Sequence, residues 1–559
     1  MLCWFAENPD RYWWVVCCAI AGALFLMLRP LLRTDWRDTK RTDWNWGLVI
    51  LAVLLIGRWP TWFVTRQLNP DENQFIAGAL TLRHDPVFWR SVDGMSSGPL
   101  NYLALLPVGW LHGVDDYFSA RITALLLLAA SLILTHQACA LLTGVATARI
   151  AGFATLCLES LTTQSDFLSY SSELVSICLL GMAAYLMTRR STTGAAGPGN
   201  FAGGLALGAI PLAKLQAVPQ AAVLSVGWLI CEIWHWRAGG QKDGGKVLAL
   251  IAGMSAPLII CVIYLTAFGL WTDMGVSYLF NNASYVGAIH LSLWEILQLT
   301  WRSAFYEDAM LVCWLAGSGL WLLLTLPLLW PSRPSHWLPT AGAAIFCALT
   351  LVCIATPRRP FLHYWQLLPV PWMLLCATGI SAACRRLENW PRTLRYGLLL
   401  SVLLISVGGL LYARAGVDHP YVGRLVTYQA HPTSRVAREL QRFTRPGEAL
   451  GVWGWMTNLY VEAGLRQATR EAYSQMQILG GPYYDYYRRR YLSDLERSLP
   501  PIFIDAIGPV DFGFSASHLH HDKIFPELAA YVRTHYTPVA DLDGVLIFAR
   551  NDRLLSTRP

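Results

Sequence analysis

The chain has 559 residues, more than one ordinary domain, and is 54% hydrophobic and only 14% charged, with a mean hydropathy of +0.38. That balance excludes an ordinary soluble globular protein and sets a membrane class as the starting point. The formal net charge of +7 mostly restates a surplus of basic residues in loops between apolar runs, and it gives no support for nucleic-acid binding.

A helix crossing roughly 30 Å of hydrocarbon needs about 20 largely apolar residues. Twelve runs qualify in chain order: 12 to 28, 47 to 64, 119 to 142, 146 to 163, 172 to 188, 201 to 216, 218 to 235, 247 to 270, 309 to 330, 338 to 356, 364 to 383 and 396 to 413. Arg29, Arg33, Arg37, Lys40 and Arg41 follow the first run and no small-residue cleavage site does, so it reads as a retained helix rather than a signal peptide. The short loops on one side (29 to 45, 143 to 149, 189 to 200, 235 to 246, 331 to 337, 384 to 395) carry 16 Lys and Arg, against about 7 on the other side before residue 414. Basic residues accumulate in cytoplasmic loops, so both termini are expected to face outward.

The expected fold class is an α-helical polytopic membrane protein of about twelve transmembrane helices with a small C-terminal α/β periplasmic domain. The membrane domain takes residues 1–413 and the periplasmic domain 414–559. All thirteen cysteines lie between Cys3 and Cys384, which excludes a disulfide-stapled exterior domain. Five lysines among 43 basic residues hint at a GC-rich bacterial genome.

Three outward segments exceed simple turns: 65 to 118, 271 to 308 and 414 to 559. Function on a membrane scaffold is expected there. In the first, Asn73 to Leu82 can place Phe75, Ile76, Ala79 and Leu80 on one face of a short helix lying along the membrane surface. Pro99 to Leu111 is interrupted by Pro107 and is short for a span, so it reads as a surface or re-entrant helix. The tail alternates a helix at 432 to 443, a strand at Ala449 to Trp453, a helix at 485 to 498, a strand at Ile502 to Ile507, a helix at 525 to 535 and a strand at Val545 to Ala549. Only 194 to 199, GAAGPG, looks like a flexible linker.

The acidic pair Asp71 and Glu72, in TRQLNPDENQF, follows the second run at the water boundary. There a carboxylate can stay ionised and serve as a general base or as a ligand for a divalent cation such as Mg or Mn. The same pair also fits a helix N-terminus, with Asp71 stabilised by the helix dipole. No Walker loop and no strand-linked GxGxxG is present, so no soluble cofactor is implied.

PDE after a spanning helix, an amphipathic helix, SGPLNY at 97 to 102, and a span entered through Ala120 and Arg121 together resemble the polyprenyl-phosphate-sugar-dependent glycosyltransferases of GT-C type. That family includes protein O-mannosyltransferases and the lipid A aminoarabinose transferase. RRPFLHYWQLLPVPWMLL at 358 to 375 is similar to the family's Arg, His-Tyr and Pro-rich entry to a late span. The resemblance implies an inverting transfer from a polyprenyl-phosphate sugar to a glycan, lipid or protein hydroxyl, with Asp71 as base or metal ligand and Glu72 beside it. It places the active site at the periplasmic face of a bacterial inner membrane. Arg358, Arg359, His363 and Tyr364 would meet the lipid phosphate, which suits guanidinium chemistry. Gln74 and Ser97 stand where aminoarabinose transferases carry basic residues, and Arg83, His84 or Arg90 can compensate.

Asp93 and Asp166 are candidates for a wider acidic cluster. Lys214, inside an apolar pair of spans, either snorkels outward or helps to bind phosphate. In the tail, VWGWMTNLY at 452 to 460 and YYDYYRRRYLSDLER at 483 to 497 suit sugar stacking, or else a core strand ending in Trp453 and a helix with an Arg490 to Asp494 pair. SHLHHD at 517 to 522 matches no strong zinc spacing. A transporter or flippase of lipid-linked sugars, or a silent envelope scaffold, are the alternative classes.

Overall fold

The computed structural model describes residue 4, residues 7–29, 39–193, 199–239, 244–287, 291–325, 334–386, residue 407 and residues 433–556. They gather into two compact units. A helical unit comprises Met1–Phe63, Ala124–Tyr264 and Tyr285–Val426; a mixed unit comprises Val64–Thr123, Leu265–Ser284 and Thr427–Pro559. The expected boundary at 413 lies outside the described residues, and the mixed unit joins the first outward segment to the tail.

Six described helices are long and apolar enough to cross a membrane: Arg11–Leu28, Trp44–Phe63, Tyr117–Thr143, Leu215–Arg237, Gly244–Phe268 and Leu338–Ala355. Gly199–Leu212, Met310–Leu320 and Pro369–Ala383 are shorter apolar helices. Two further expected runs form Val145–Leu161, 17 residues long and buried almost throughout, and Glu173–Thr193. The run expected at 396 to 413, residue 407 apart, and the linker at 194 to 199, residue 199 apart, lie outside the described residues.

Few residues of Gly244–Phe268 are buried, and Ile259, Ile260, Val262 and Ile263 are exposed, as expected of a face turned to lipid. Its other side meets Gly199–Ala209 backbone to backbone. A Cβ at Gly204 would lie 2.3 Å from the Leu250 carbonyl, and one at Gly253 2.2 Å from that of Phe201. Small residues permit this approach where packing, not water exclusion, holds helices together.

The mixed unit is built on a five-stranded sheet: β1 (Ala449–Trp453), β2 (Arg466–Gln467), β3 (Ile502–Asp505), β4 (Tyr536–Leu542) and β5 (Val545–Arg550), in the order β2-β1-β3-β5-β4. β1 pairs parallel with β2 and β3, while β5 runs antiparallel to β3 and β4. β1 and β3 are buried on both faces, which is why ALGVW and IFID read as near-continuous apolar runs. β4 is a largely exposed edge carrying Pro538 and an irregular register between Pro538 and Ala540.

One sheet face packs Leu450, Val452, Ile502, Ile504 and Ile547 against Ala77 and Met95 of the first outward segment. The other packs Ala449, Trp453 and Phe503 against Tyr491, Leu495, Leu528 and Val532. The expectation of a surface helix at Asn73 to Leu82 is therefore corrected. That stretch lies in helix Pro70–Leu82, where Phe75, Ile76, Ala79 and also Asn73, Gln74 and Ala77 are buried, because the sheet and its loops surround it. Pro99 to Leu111 breaks into Pro99–Leu103 and Leu106–His112, neither long enough to cross a bilayer.

Candidate active site

The acidic motif opens the helix Pro70–Leu82. Asn69 is its N-cap, with the side-chain oxygen accepting from the Asp71 N–H at 2.8 Å, and Pro70 fills the first helical position. Asp71 and Glu72 occupy the first turn, where the helix dipole favours negative charge. Asp71 is half-buried. Glu72 is fully buried and bound in a fork by Arg121: Nε donates to Oε1 at 3.0 Å and Nη2 to Oε2 at 2.8 Å. Nη2 also donates to the Arg66 carbonyl at 2.6 Å, and the guanidinium lies 5.0 Å from the Tyr117 ring. Tyr117 in turn donates to Asn73 Oδ1 at 2.7 Å. Arg121 belongs to the Ala-Arg pair that opens its span, but nothing in the sequence marks it as the partner of Glu72, 49 residues away.

Arg83 makes a close charge contact with Asp115 without hydrogen-bond alignment, and its Nη1 donates to the Gly113 carbonyl at 3.3 Å. Burial pushes the Asp115 carboxyl up to about 6, against the pull of Arg83. Asp93 meets Arg490, and Gln74 donates to the Tyr102 hydroxyl at 3.1 Å. Ser97 is buried.

The helical unit holds a second set. Lys214 sits in a break between the short turns Ile210–Leu212 and Leu215–Ala217 and is 7% exposed, so it does not snorkel. Its Nζ donates to Ser172 Oγ at 2.6 Å, pairs with Glu173 and lies 4.9 Å from the Tyr364 ring. An ammonium in an apolar unit needs this compensation. Asp166 takes the His363 backbone N–H at 3.2 Å and faces its Nδ1 at 3.4 Å. His363 and Tyr364 stand on the 3-10 turn Leu362–Leu367, ring centroids 4.6 Å apart. Arg358 adopts φ 55°, a left-handed conformation, and the Arg359 guanidinium lies 5.1 Å from the Tyr285 ring. The structure thus gathers Lys214, Asp166, His363 and Tyr364 in one unit and Asp71, Glu72, Arg83 and Asp93 in the other. Sequence reasoning passed over Arg58 and Glu159, paired at 2.8 Å and almost wholly buried, although ionisable residues inside two apolar runs were a readable signal.

No protein-family model and no curated protein matches the chain. Among solved structures, ArnT from Cupriavidus metallidurans in the apo state matches at a TM-score of 0.52 over 90% of this chain and 98% of that one, with 14% sequence identity. The chain has the ArnT fold. The Archaeoglobus fulgidus oligosaccharyltransferase matches more loosely: TM-score 0.40 and 12% identity over 82% of this chain and 69% of that one in the apo form. Its complex with an inhibitory peptide and a dolichol-phosphate, AglB, gives 0.40 at 11% identity. At 14% identity the likeness to ArnT is one of fold.

Within the acidic motif Glu72 is committed to Arg121 rather than to a metal. Both Glu72 oxygens take Arg121 N–H groups, and among the described residues no group of three His, Cys, Asp or Glu gathers where an ion would sit. His520 and His521 instead hold Asp505, at 3.0 and 2.6 Å. In the tail the core-packing reading holds for Trp453, Tyr487 and Tyr491, all buried. The expected Arg490 to Asp494 pair is not formed: Arg490 turns to Glu471, Asp93 and Asp273, while Asp494 takes Arg470 and Arg497.

Proposed function

We propose that the chain is an integral membrane glycosyltransferase of GT-C type, with about twelve transmembrane helices in a bacterial inner membrane. It moves a sugar from a polyprenyl-phosphate carrier to an acceptor hydroxyl of a glycan, lipid or protein. The reaction side and residues 414–559 face the periplasm. One observation carries this reading: on an ArnT-like fold, the PDE motif opens a helix and its two acids divide their work. Glu72 is spent on Arg121, while Asp71 stands half-buried at the positive end of the helix.

In the proposed step the acceptor oxygen attacks the anomeric carbon from the face opposite the phosphate. The carbon–oxygen bond to the lipid phosphate breaks, configuration inverts, and the hydroxyl proton passes to Asp71. General base action of this kind contributes roughly 10²- to 10⁴-fold. The departing phosphate needs fixed positive charge. Arg358 and Arg359 suit it. Lys214 can exchange its Ser172 contact for a phosphate oxygen without breaking its pair with Glu173, and His363 and Tyr364 line the same cluster. Arg83 is held by Asp115 and serves the loop instead.

The test is transfer by the purified protein from a panel of polyprenyl-phosphate sugars, including mannose and aminoarabinose forms. Asp71→Asn is expected to lose roughly 10²- to 10⁴-fold in kcat. Equal rates for both proteins would sink the base assignment. Arg359→Gln is expected to raise KM for the donor about tenfold, the loss of one charged contact; an unchanged KM would remove Arg359 from the donor site.

A further inference from the structure

Three segments far apart in the sequence meet in one buried knot of charge inside the mixed unit. Arg490, on helix Tyr484–Ser498, is 6% exposed. It donates to Glu471 through Nε at 3.1 Å, to Asp273 through Nη1 at 3.2 Å, and to Asp93 through Nη2. The rings of Tyr486 and Tyr487 lie 5.0 and 4.9 Å from its guanidinium. Arg470 closes the far side, donating to Asp494 at 2.9 Å, to Asp273 at 2.8 Å and to the Trp89 carbonyl at 3.1 Å. These are not surface pairs of negligible worth; they are hydrogen-bonded charges in a low-dielectric interior.

The loop this knot grips is strained. Trp89 and Met95 are non-glycine residues with φ 66° and 52°, and such conformations persist only where the surroundings over-determine them. Here the surroundings are the tail's side chains: Arg490 holds Asp93, and the Asp93 N–H donates to the Arg470 carbonyl at 2.6 Å. The loop is in turn a wall of the helix Pro70–Leu82. A Cβ at Gly78 would lie 2.4 Å from the Tyr102 ring and 3.1 Å from Val92, so helix and loop are already in closest contact. Phe75 and Tyr102 pack with centroids 5.1 Å apart. The tail also ties both helix ends, Thr457 donating to the Pro70 carbonyl at 3.4 Å and the Gln467 N–H to Thr81 Oγ1 at 3.0 Å.

We propose that Arg490 is a positioning residue for the acidic motif: by holding Asp93 it keeps the strained 89–95 loop against the helix that presents Asp71. This deepens the reading of Asp71 as the base and rests on it. Without the guanidinium, Asp93 and Glu471 are left as buried carboxylates short of a cation, and the cheapest relief is release of the loop. The helix then loses a wall. A misplacement of about 1 Å at a reacting group is enough to cost roughly 100-fold in rate.

The test uses the full-length protein in nanodiscs and needs no ligand for its first readout, hydrogen exchange of peptides covering 68–76 and 88–97. Arg490→Gln is expected to speed exchange of both at least tenfold. Arg490→Lys, which keeps one charge, should have a smaller effect, and Tyr491→Phe, on the same helix but facing the tail core, should move neither. Faster exchange at 88–97 with none at 68–76, or across the whole sheet, would overturn the proposal. If Arg490→Gln does not fold, Asp93→Asn removes the same contact from the loop side and must give the same local pattern. With polyprenyl-phosphate mannose and the other donors of the panel, kcat should fall 10- to 100-fold and donor KM stay within twofold; a change confined to KM would also overturn it. Transfer unaffected by Asp71→Asn would sink the function reading alone, since the exchange pattern stands or falls without it.

Discussion

Lys214 in the helical unit and Arg490 in the mixed unit are both long cations removed from water, yet their surroundings follow different arithmetic. Lys214 has one carboxylate, one hydroxyl and one ring, with no surplus of either sign in direct contact. Arg490 and its neighbour Arg470 share four carboxylates, Asp93, Asp273, Glu471 and Asp494, drawn from three segments. Among apolar helices an unmatched charge has nothing to compensate it, so pairing is one to one. Where a loop, a second loop and a tail must be joined, a surplus of acid is tolerable, because polar groups such as the Tyr486 hydroxyl on Asp273 take up part of it.

The largest expected effect follows from the one-to-one pair. Lys214→Met leaves Glu173 buried without a cation and is expected to destabilise the purified protein by about 3–5 kcal/mol. The double variant Lys214→Met with Glu173→Gln should regain most of that, read as thermal unfolding of the four proteins of the cycle. Equal losses for single and double variants would mean that the pair is not what holds this region.

The knot should behave in the opposite way. Glu471 is held above its ordinary range first by burial and then by Asp93 and Asp494, against Arg490. A carboxyl raised in the folded state binds its proton more tightly there than in the unfolded chain, so its ionisation costs stability at neutral pH. Glu471→Gln, which removes one surplus charge, is therefore expected to change stability at pH 7 by only about 1 kcal/mol. The wild type should gain on the variant as pH falls toward 4.5. A loss at pH 7 as large as that of Lys214→Met would break the contrast between the two regions.

Much of this architecture was legible because its signals are local. Apolar runs announce spans, and β1, β3 and β5 stand where the sequence pattern puts strands, since parallel or central strands must be apolar over consecutive or alternating positions. β4 escaped notice because an exposed edge strand with Pro538 has no buried face to impose a pattern. The fork of Arg121 on Glu72 and the meeting of residues 93, 273 and 490 were illegible for a different reason. They are pairings across tens to hundreds of residues, and a single charged side chain gives no hint of which distant partner the fold will bring to it. The helix at Asn73 to Leu82 misled in the same way, since an amphipathic pattern shows that one face is buried and not that the tail will cover the other.

Asp115 offers the smallest and cleanest measurement, because it sits in the same unit as the knot but has a single cation, Arg83, against it. Burial is the larger influence, and the carboxyl stands at about 6 in the folded protein against an ordinary 3.8. With the folded value above the unfolded one, the unfolded chain ionises first as pH rises from about 4 to about 6, and stability falls across that window and stays lower above it. After allowance for solvent screening the change amounts to about 1 kcal/mol. Asp115→Asn removes this dependence: unfolding midpoints of variant and wild type should differ most at pH 7, in favour of the variant, and converge near pH 4. A wild type more stable than the variant at pH 7, with that lead shrinking on acidification, would show that Arg83 outweighs burial at this site, making the pair a one-to-one system like Lys214 and Glu173 after all.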